Sequence, residues 1–529
     1  TTTGNFVEPE TDLSFDGGCS SLGFDRVYNS LSTGIGAFGP GWASTADQRL
    51  RVTEDGAVWV QPSGRHITFG RLGGGWDRAD NDNYWLHTTN PGPDTDNTAG
   101  GAVPTTDGPA GEAGPAAGGD TAGPGGAPDA AADTAGGAAG PAGGDSPTTM
   151  ATTAGTTAMS GARAAGDASA GGGAHASASD TAAVSSAVAT TADADPGAGG
   201  GAGWFVVSDN AGGRWCFDRA GRPVSVSRGP GTRVDHQWNG DRLVGLAHER
   251  GRTITIEWND HHTRITALTA NDGRRIDYTY DPAGRLTEAR TAGGGARRYT
   301  WNEAGLIATV TDPDGVVEAA NTYNERGQVT SQRSRFGRTS HYTYLPGNIT
   351  QVADSDGGRA NTWIHDQRGR LVGMVDADGN RQSIGWDRWG NRVQVTGRDG
   401  AVTVFRYDGR GRLTDHVLET GARFSYEWDD ADRLVAVHRV DEEQADVLFA
   451  YEGEDRNPST VTDPAGGVTR LTWDRNLLTR VVDPTGVTMA FGYDGRGDLV
   501  SAMNAVGDTA RLVRDGAGRV VAAVSPLGH

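Results

Sequence analysis

The chain contains no lysine; all 47 of its basic residues are arginine. A GC-rich genome is the plainest account, and a salt-adapted host the alternative. It has only two cysteines, Cys19 and Cys216, too few for a disulfide framework, and the sequence leaves open whether they pair. It has no run of 18 apolar residues, so nothing in it is long and apolar enough to cross a membrane as a helix. It has no basic excess. The net charge of −20 disfavours nucleic acid or an anionic membrane as partner, since both require a basic footprint. No secretory leader is visible at the start, which reads Thr1-Thr2-Thr3-Gly4 without Met, so the expectation is a piece of a longer protein.

Glycine, by contrast, is abundant, with 82 residues in 529. Gly weakens helix interiors but supplies the positive φ that tight turns need. A turn-rich β-protein is therefore expected, in three regions. Residues 1–90 read as a β-rich domain: Arg51-Val52-Thr53 and Ala57-Val58-Trp59-Val60 flank the hairpin signal Glu54-Asp55-Gly56. Residues 91–203 read as a disordered insert of Gly, Ala, Thr, Pro, Ser and Asp. Positions 91–200 hold no aromatic residue, Leu or Ile, and eleven Asp, one Glu and one Arg leave them at −11. Such a segment cannot bury enough apolar surface to offset its ordering entropy. A surface insertion is tolerated where its two ends lie close together. Outside it the chain is only mildly acidic, which weakens the charge argument about partners.

Residues 204–529 carry one repeated pattern. An aromatic residue is followed by Asp or Asn, then commonly by Gly and an apolar residue, as in Tyr280-Asp281-Pro282-Ala283-Gly284-Arg285-Leu286. The aromatic anchors are Phe217, Trp238, Trp258, Tyr280, Trp301, Tyr323, Tyr344, Trp386, Tyr407, Trp428, Tyr451, Trp473 and Tyr493, with His365 and Arg514 at the same phase. From Phe217 to Tyr493 the mean spacing is 21.2 residues. Nine repeats have glycine four residues after the anchor: Gly221, Gly284, Gly305, Gly327, Gly369, Gly390, Gly411, Gly497 and Gly518. Before each anchor apolar residues alternate, as in Phe424, Tyr426 and Trp428, which is the strand period with one face buried. Second turns such as Asp312-Pro313-Asp314-Gly315 and Asp483-Pro484-Thr485-Gly486 close each unit. Each repeat is thus strand, turn, strand, turn. A lone hairpin is marginal in water, so neighbours must pair edge to edge. Fifteen units imply on the order of thirty strands, and native twist should curl so long a sheet into a spiral, barrel-like hollow wrap. The fold class is all-β, with tandem antiparallel hairpins.

No catalytic, cofactor or metal site stands out. The Asp-Pro-x-Gly sets recur in phase and read as turn chemistry. Asp354-Ser355-Asp356-Gly357 and Asp376-Ala377-Asp378-Gly379-Asn380 place Gly fourth, not sixth as in a calcium loop. His261-His262 has no spaced partner for a metal. No nucleophile elbow and no phosphate loop occur. The aromatic anchors read as wall packing, with the cost of a buried aromatic, about 3–5 kcal/mol, expected on truncation. Trp363 and Trp389 fall outside the anchor phase and are the better candidates for surface contact, carbohydrate included.

The repeat resembles the YD-repeat shell of Rhs proteins, the bacterial polymorphic toxins. It is also similar to the repeats of the Tc-toxin C component, of cell-wall-associated contact-inhibition toxins and of animal teneurins. Thr3-Gly4-Asn5-Phe6, Arg26-Val27-Tyr28-Asn29-Ser30 and Phe38-Gly39-Pro40-Gly41-Trp42 resemble the domain that commonly precedes such repeats in bacteria. The resemblance implies a non-enzymatic, hollow β-shell that encloses the chain's own C-terminal toxin domain. It further implies a secreted or cell-surface location, a secretion apparatus as partner, and killing of competing cells. The family's autocleavage segment and toxin find no match here, because the chain stops at Ser525-Pro526-Leu527-Gly528-His529, within a repeat turn. A surface-adhesion or carbohydrate-binding protein is the alternative reading.

Overall fold

The computed structural model describes residues 3–15, 21–89, 204–354, 360–440 and 446–529, and all of them belong to one compact unit. The insert, Cys19 and residues 355–357 of the first calcium-like motif lie outside the described residues.

Among the described residues there is no α-helix; the one helical turn is a 3-10 turn at Thr45–Asp47. Three small sheets form the N-terminal domain, the smallest being the pair Ile35–Gly36 and Gly39–Pro40. A second pairs Val7–Phe15 with Leu22–Asn29 and then Trp42–Ser44; the third runs through Arg49–Val52, Gly56–Val60, His66–Leu72 and Gly75–Trp76. All else is one sheet of 32 strands, from Tyr84–Thr88 to Val520–Val524, in which every strand pairs antiparallel with its sequence neighbours and none crosses over. This is the tandem-hairpin ribbon that the period and the alternation predict.

The ribbon begins one strand earlier than the sequence pattern suggests. Tyr84–Thr88 precedes the insert and pairs with Phe205–Asp209 behind it, in the register Thr88↔Phe205. The Thr89 amide also donates to the Trp204 carbonyl at 2.9 Å. Residues 90–203 are therefore the connection of the first hairpin. The periodic anchor is invisible there because the connection separates the two strands by more than a hundred positions.

The local geometry of a repeat explains its residues. In the hairpin Arg275–Tyr280 and Leu286–Thr291, Thr279 faces Glu288 but Tyr280 faces Leu286, so the ladder bulges at the anchor. The turn is closed by Gly284 N–H to Asp281 C=O and Asp281 N–H to Arg285 C=O, at 2.9 and 3.0 Å. Gly284 has φ +73°, the left-handed conformation that ends a type I turn in a G1 bulge and favours Gly. The Asp281 carboxylate accepts from the Ala283 and Arg285 amides, which is why Asp or Asn follows the anchor.

The ribbon also returns on itself. Arg250 donates to the Arg475 carbonyl and Asn476 to that of Pro230, both at 2.8 Å, while Arg252 forks onto Asp498 at 2.7 and 2.9 Å. These partners lie 225–246 residues apart. The far-side turns of the early repeats thus rest on the anchor-side turns of repeats about eleven units later, through loops rather than strand pairing. The ribbon is a spiral, and its turns are stacked.

Candidate functional site

With no catalytic constellation in view, the candidate site is the aromatic face of the ribbon, together with the N-terminal domain seated on part of it. The anchors share one geometry. In eleven of the twelve Trp and Tyr anchors, all but Tyr407, the Trp Nε1–H or Tyr O–H reaches back to a backbone carbonyl 15–17 residues earlier: Trp238 to Pro223, Trp258 to Leu243, Tyr280 to Ile265, Trp301 to Leu286, Tyr323 to Ile307 and Tyr344 to Val329. Trp386, Trp428, Tyr451, Trp473 and Tyr493 do the same to Leu371, Leu413, Leu434, Pro458 and Leu478. Arg514 imitates an aromatic tip, its Nε donating to Leu499 O at 3.0 Å. The acceptor belongs to the strand of the preceding hairpin, so each anchor ties one repeat to the one before it. This selects Trp and Tyr, which join an apolar body to a donor. Phe217 has no such donor and is fully buried instead.

The anchors are not, however, fully buried residues. Apart from Phe217 and His365, all are only partly buried, Tyr407 included. The expectation of core-type anchors is corrected accordingly. Anchors under the N-terminal domain, such as Trp301, are part-buried like those beyond it, and the bond at the ring tip supplies part of the hold.

The nine turn glycines, from Gly221 to Gly518, take φ between +73° and +90°. Where glycine is absent, His262, Asn348 and Asp432 hold the left-handed conformation at φ +53° to +57°. Asp432 is fully buried between Arg410 and Arg412, and burial pushes its carboxyl up to about 6. His262 is thus a turn residue. Asp376 spends its carboxylate on the Asp378 and Asn380 amides and the Asn380 side chain. Trp363 and Trp389 are both part-buried, and Trp389 lies beneath the guanidiniums of Arg78 and Arg388, at 4.5 and 4.0 Å.

One functional position escaped the sequence reading: the arginine five residues after the anchor. Arg222, Arg285, Arg370, Arg412, Arg433 and Arg519 each pair with the Asp four residues earlier. Several reach on to the next turn as well. Arg370 and Arg412 donate to the Asp387 and Asp429 carbonyls at 3.0 and 3.2 Å, and Arg433 to that of Gly453 at 2.8 Å. A planar fork can bind a carboxylate and a carbonyl at once, which the point charge of lysine cannot do. The signal was available as Asp-x-x-Gly-Arg in a chain without lysine.

The N-terminal domain covers the aromatic face of the early repeats. Phe38 stacks edge-on with Tyr278, Trp42 with Tyr299 and Tyr28 with Trp301, at 4.8–5.6 Å between ring centres. Arg26 is fully buried among these rings, with Asp12 as its ion partner at 2.6 Å. The domain also leans on turn glycines: Leu50 N–H donates to Gly221 O, and a Cβ on Gly39 would strike Gly284 O. This joint core runs from Phe6 to Val329, with Tyr342 packed at its margin, and goes no further. Beyond it Phe424, Leu471 and Leu477 are the only large apolar residues that become buried among those described. Among the described residues the same aromatic face therefore continues past Tyr342 with no such joint core over it.

Comparison with known proteins fits this geometry. Residues 1–69 match the family described as a domain of unknown function, DUF6531. Residues 258–296, 386–423 and 407–444 match the family described as RHS Repeat, each match beginning on an anchor. Over 58 residues the chain is 43% identical to the tRNA3(Ser)-specific nuclease WapA of Bacillus spizizenii, covering 11% of this chain and 2% of that one. Over 287 residues it is 26% identical to the probable deoxyribonuclease RhsB of Dickeya dadantii, covering 53% of this chain and 19% of the relative. Among solved structures it is similar to the TcdB2–TccC3 complex without its hypervariable C-terminal region, at TM-score 0.38 and 14% identity, over 60% of this chain and 21% of that one. The chain thus spans no more than about a fifth of these curated relatives. A DUF6531 domain in front of a ribbon of RHS repeats makes this chain a member of the Rhs/YD-repeat proteins.

Proposed function

We propose that the ribbon is the wall of a shell that encloses a toxin domain carried by the same protein, for delivery to a competing cell. The observation that carries this reading is the aromatic face. Under the N-terminal domain the positions between the anchors, such as Tyr278 and Tyr299, are buried; past Tyr342 their counterparts Tyr426 and Phe491 are part-buried, beside anchors such as Trp428 whose polar tips are already spent on backbone carbonyls. A surface of that kind offers apolar contact without directional demands, which suits a polypeptide held inside rather than a small ligand with fixed polar groups. The opposite face is polar, as at Arg423, Ser425 and Glu427, and suits solvent. On this reading the wall is not itself catalytic. The nuclease activities printed for the relatives belong to those proteins, and any such activity here resides in the enclosed domain. A secreted or cell-surface site of action and a secretion apparatus as partner follow from the same reading.

The test is a photo-cross-linking side chain in place of Tyr426 in the full-length gene product, with Glu427 on the opposite face as control. The proposal expects cross-links from position 426 to a domain of the same chain outside the repeats, and none from 427. Cross-links from 426 only to other molecules, glycans included, would sink it.

A further inference from the structure

A cluster of charges joins the N-terminal domain to the ribbon and has no part in the wall. Three carboxylates converge on one guanidinium. Arg297, on the ribbon strand Ala296–Trp301, meets Glu8 and Glu318 at 2.5 Å each and also Glu10. Glu8 and Glu10 belong to the N-terminal strand Val7–Phe15, and Glu318 to the ribbon strand Val317–Tyr323. Each of the four side chains is at most a fifth exposed.

We propose that this cluster is a proton-dependent clasp, which holds the N-terminal domain on the ribbon in acid and loosens it as the medium rises to neutral. The charges around it do not balance. From the N-terminal side come Glu8, Glu10 and Asp12, with Arg26 from the neighbouring strand. From the ribbon come Arg297, Glu318, Asp312 and Arg335, which bridges the last two. Five carboxylates face three guanidiniums. Tyr278 donates to Asp12 at 2.6 Å and Tyr299 to Glu10 at 2.8 Å, and both phenols are held far above their ordinary range by burial. Tyr28 and Tyr323 are likewise held protonated by burial. The excess negative charge favours a proton on one of the carboxylates.

Glu8 is the group that takes it. Burial first, and then the charge of Glu10, push its carboxyl up to about 7 against the pull of Arg297. An acid whose value rises on docking binds more protons docked than free, so docking weakens as pH rises through the interval between the two values. The interval here runs from about 4.5 to about 7. The clasp is complete below it and weakest above it. This proposal does not depend on what the shell encloses.

Hydrogen exchange of the backbone amides of Val7–Phe15 tests it on the full chain, between pH 5 and pH 8, corrected for intrinsic exchange rates. Wild type should lose at least about tenfold in protection over that range. Glu8→Gln, which mimics the protonated acid, should stay protected at both pH values. Glu318→Gln removes one of the repelling charges from the ribbon side and should flatten the profile as well. Protection in wild type that is equal at pH 5 and pH 8 would overturn the clasp. So would an undiminished pH slope in both variants, with the protection of Arg275–Tyr280 showing that they are folded.

Discussion

Trp428 offers the sharpest test of how the wall is held together, because its ring and its donor can be removed separately. Its Nε1–H lies 2.8 Å from the Leu413 carbonyl, and its ring is part-buried on the aromatic face. Trp428→Phe keeps most of the ring and removes the donor. A net hydrogen bond is worth about 1 kcal/mol, so a loss of about 1 kcal/mol is expected. Trp428→Ala removes both. A fully buried aromatic costs about 3–5 kcal/mol on truncation, and a ring at least about two-thirds buried keeps at least about two-thirds of that. With the bond added, the expected loss is about 3–4 kcal/mol. Stability in a repeat array is local, so the readout is hydrogen exchange in Leu413–Val417 and Arg423–Trp428, alongside urea unfolding by circular dichroism. If Trp428→Phe were as stable as wild type, the tie between repeats would contribute nothing. If Trp428→Ala were no worse than Trp428→Phe, the ring would not be part of the wall's packing.

Further outcomes follow from the turns and the seam. Gly369→Asn should be nearly neutral in urea unfolding, because open space surrounds Gly369 and Asn348 already holds the same position at φ +57°; Gly221→Asn should release the N-terminal domain, because a Cβ there would meet the Leu50 carbonyl at 1.8 Å, and loss of protection at Arg49–Val52 would show it. Arg412→Lys keeps the charge but loses the fork that spans Asp408 and the Asp429 carbonyl, so it should cost about 1–2 kcal/mol by urea unfolding. Arg252→Ala strands the buried Asp498 and should cost about 3–5 kcal/mol, whereas the double change Arg252→Met with Asp498→Leu should recover most of that in the same measurement.

The ribbon was legible in the sequence because each of its elements repeats. One alternating strand such as Phe424–Trp428 is ambiguous, but the same alternation ahead of each anchor, followed by Asp and a left-handed glycine, specifies a hairpin. The 32 strands follow the expected thirty closely. Three features were not legible, each for a physical reason. The first strand, Tyr84–Thr88, lies before the insert and so out of phase with the rest. The partial burial of the anchors depends on how each ring packs against the neighbouring hairpins, which no local pattern records. The clasp of Glu8, Glu10, Arg297 and Glu318 joins positions nearly three hundred residues apart, and the seam of Arg252 and Asp498 joins positions 246 apart. Neither leaves a local signature. The arginine after each turn is visible in the sequence as Asp-x-x-Gly-Arg, but its fork matters only once successive turns lie side by side.

The stacked spiral itself is tested most directly by a disulfide across its seam. Gly516 lies against Asp272, 244 positions away, and a Cβ at 516 would fall 2.9 Å from that of Asp272. With Cys19 and Cys216 changed to serine, Asp272→Cys and Gly516→Cys should cross-link under mild oxidation, and a cleavage between the two sites should leave the fragments joined until reduction. A ribbon that does not close on itself would keep the two thiols apart, and fragments that separate without reductant would contradict the stacked spiral.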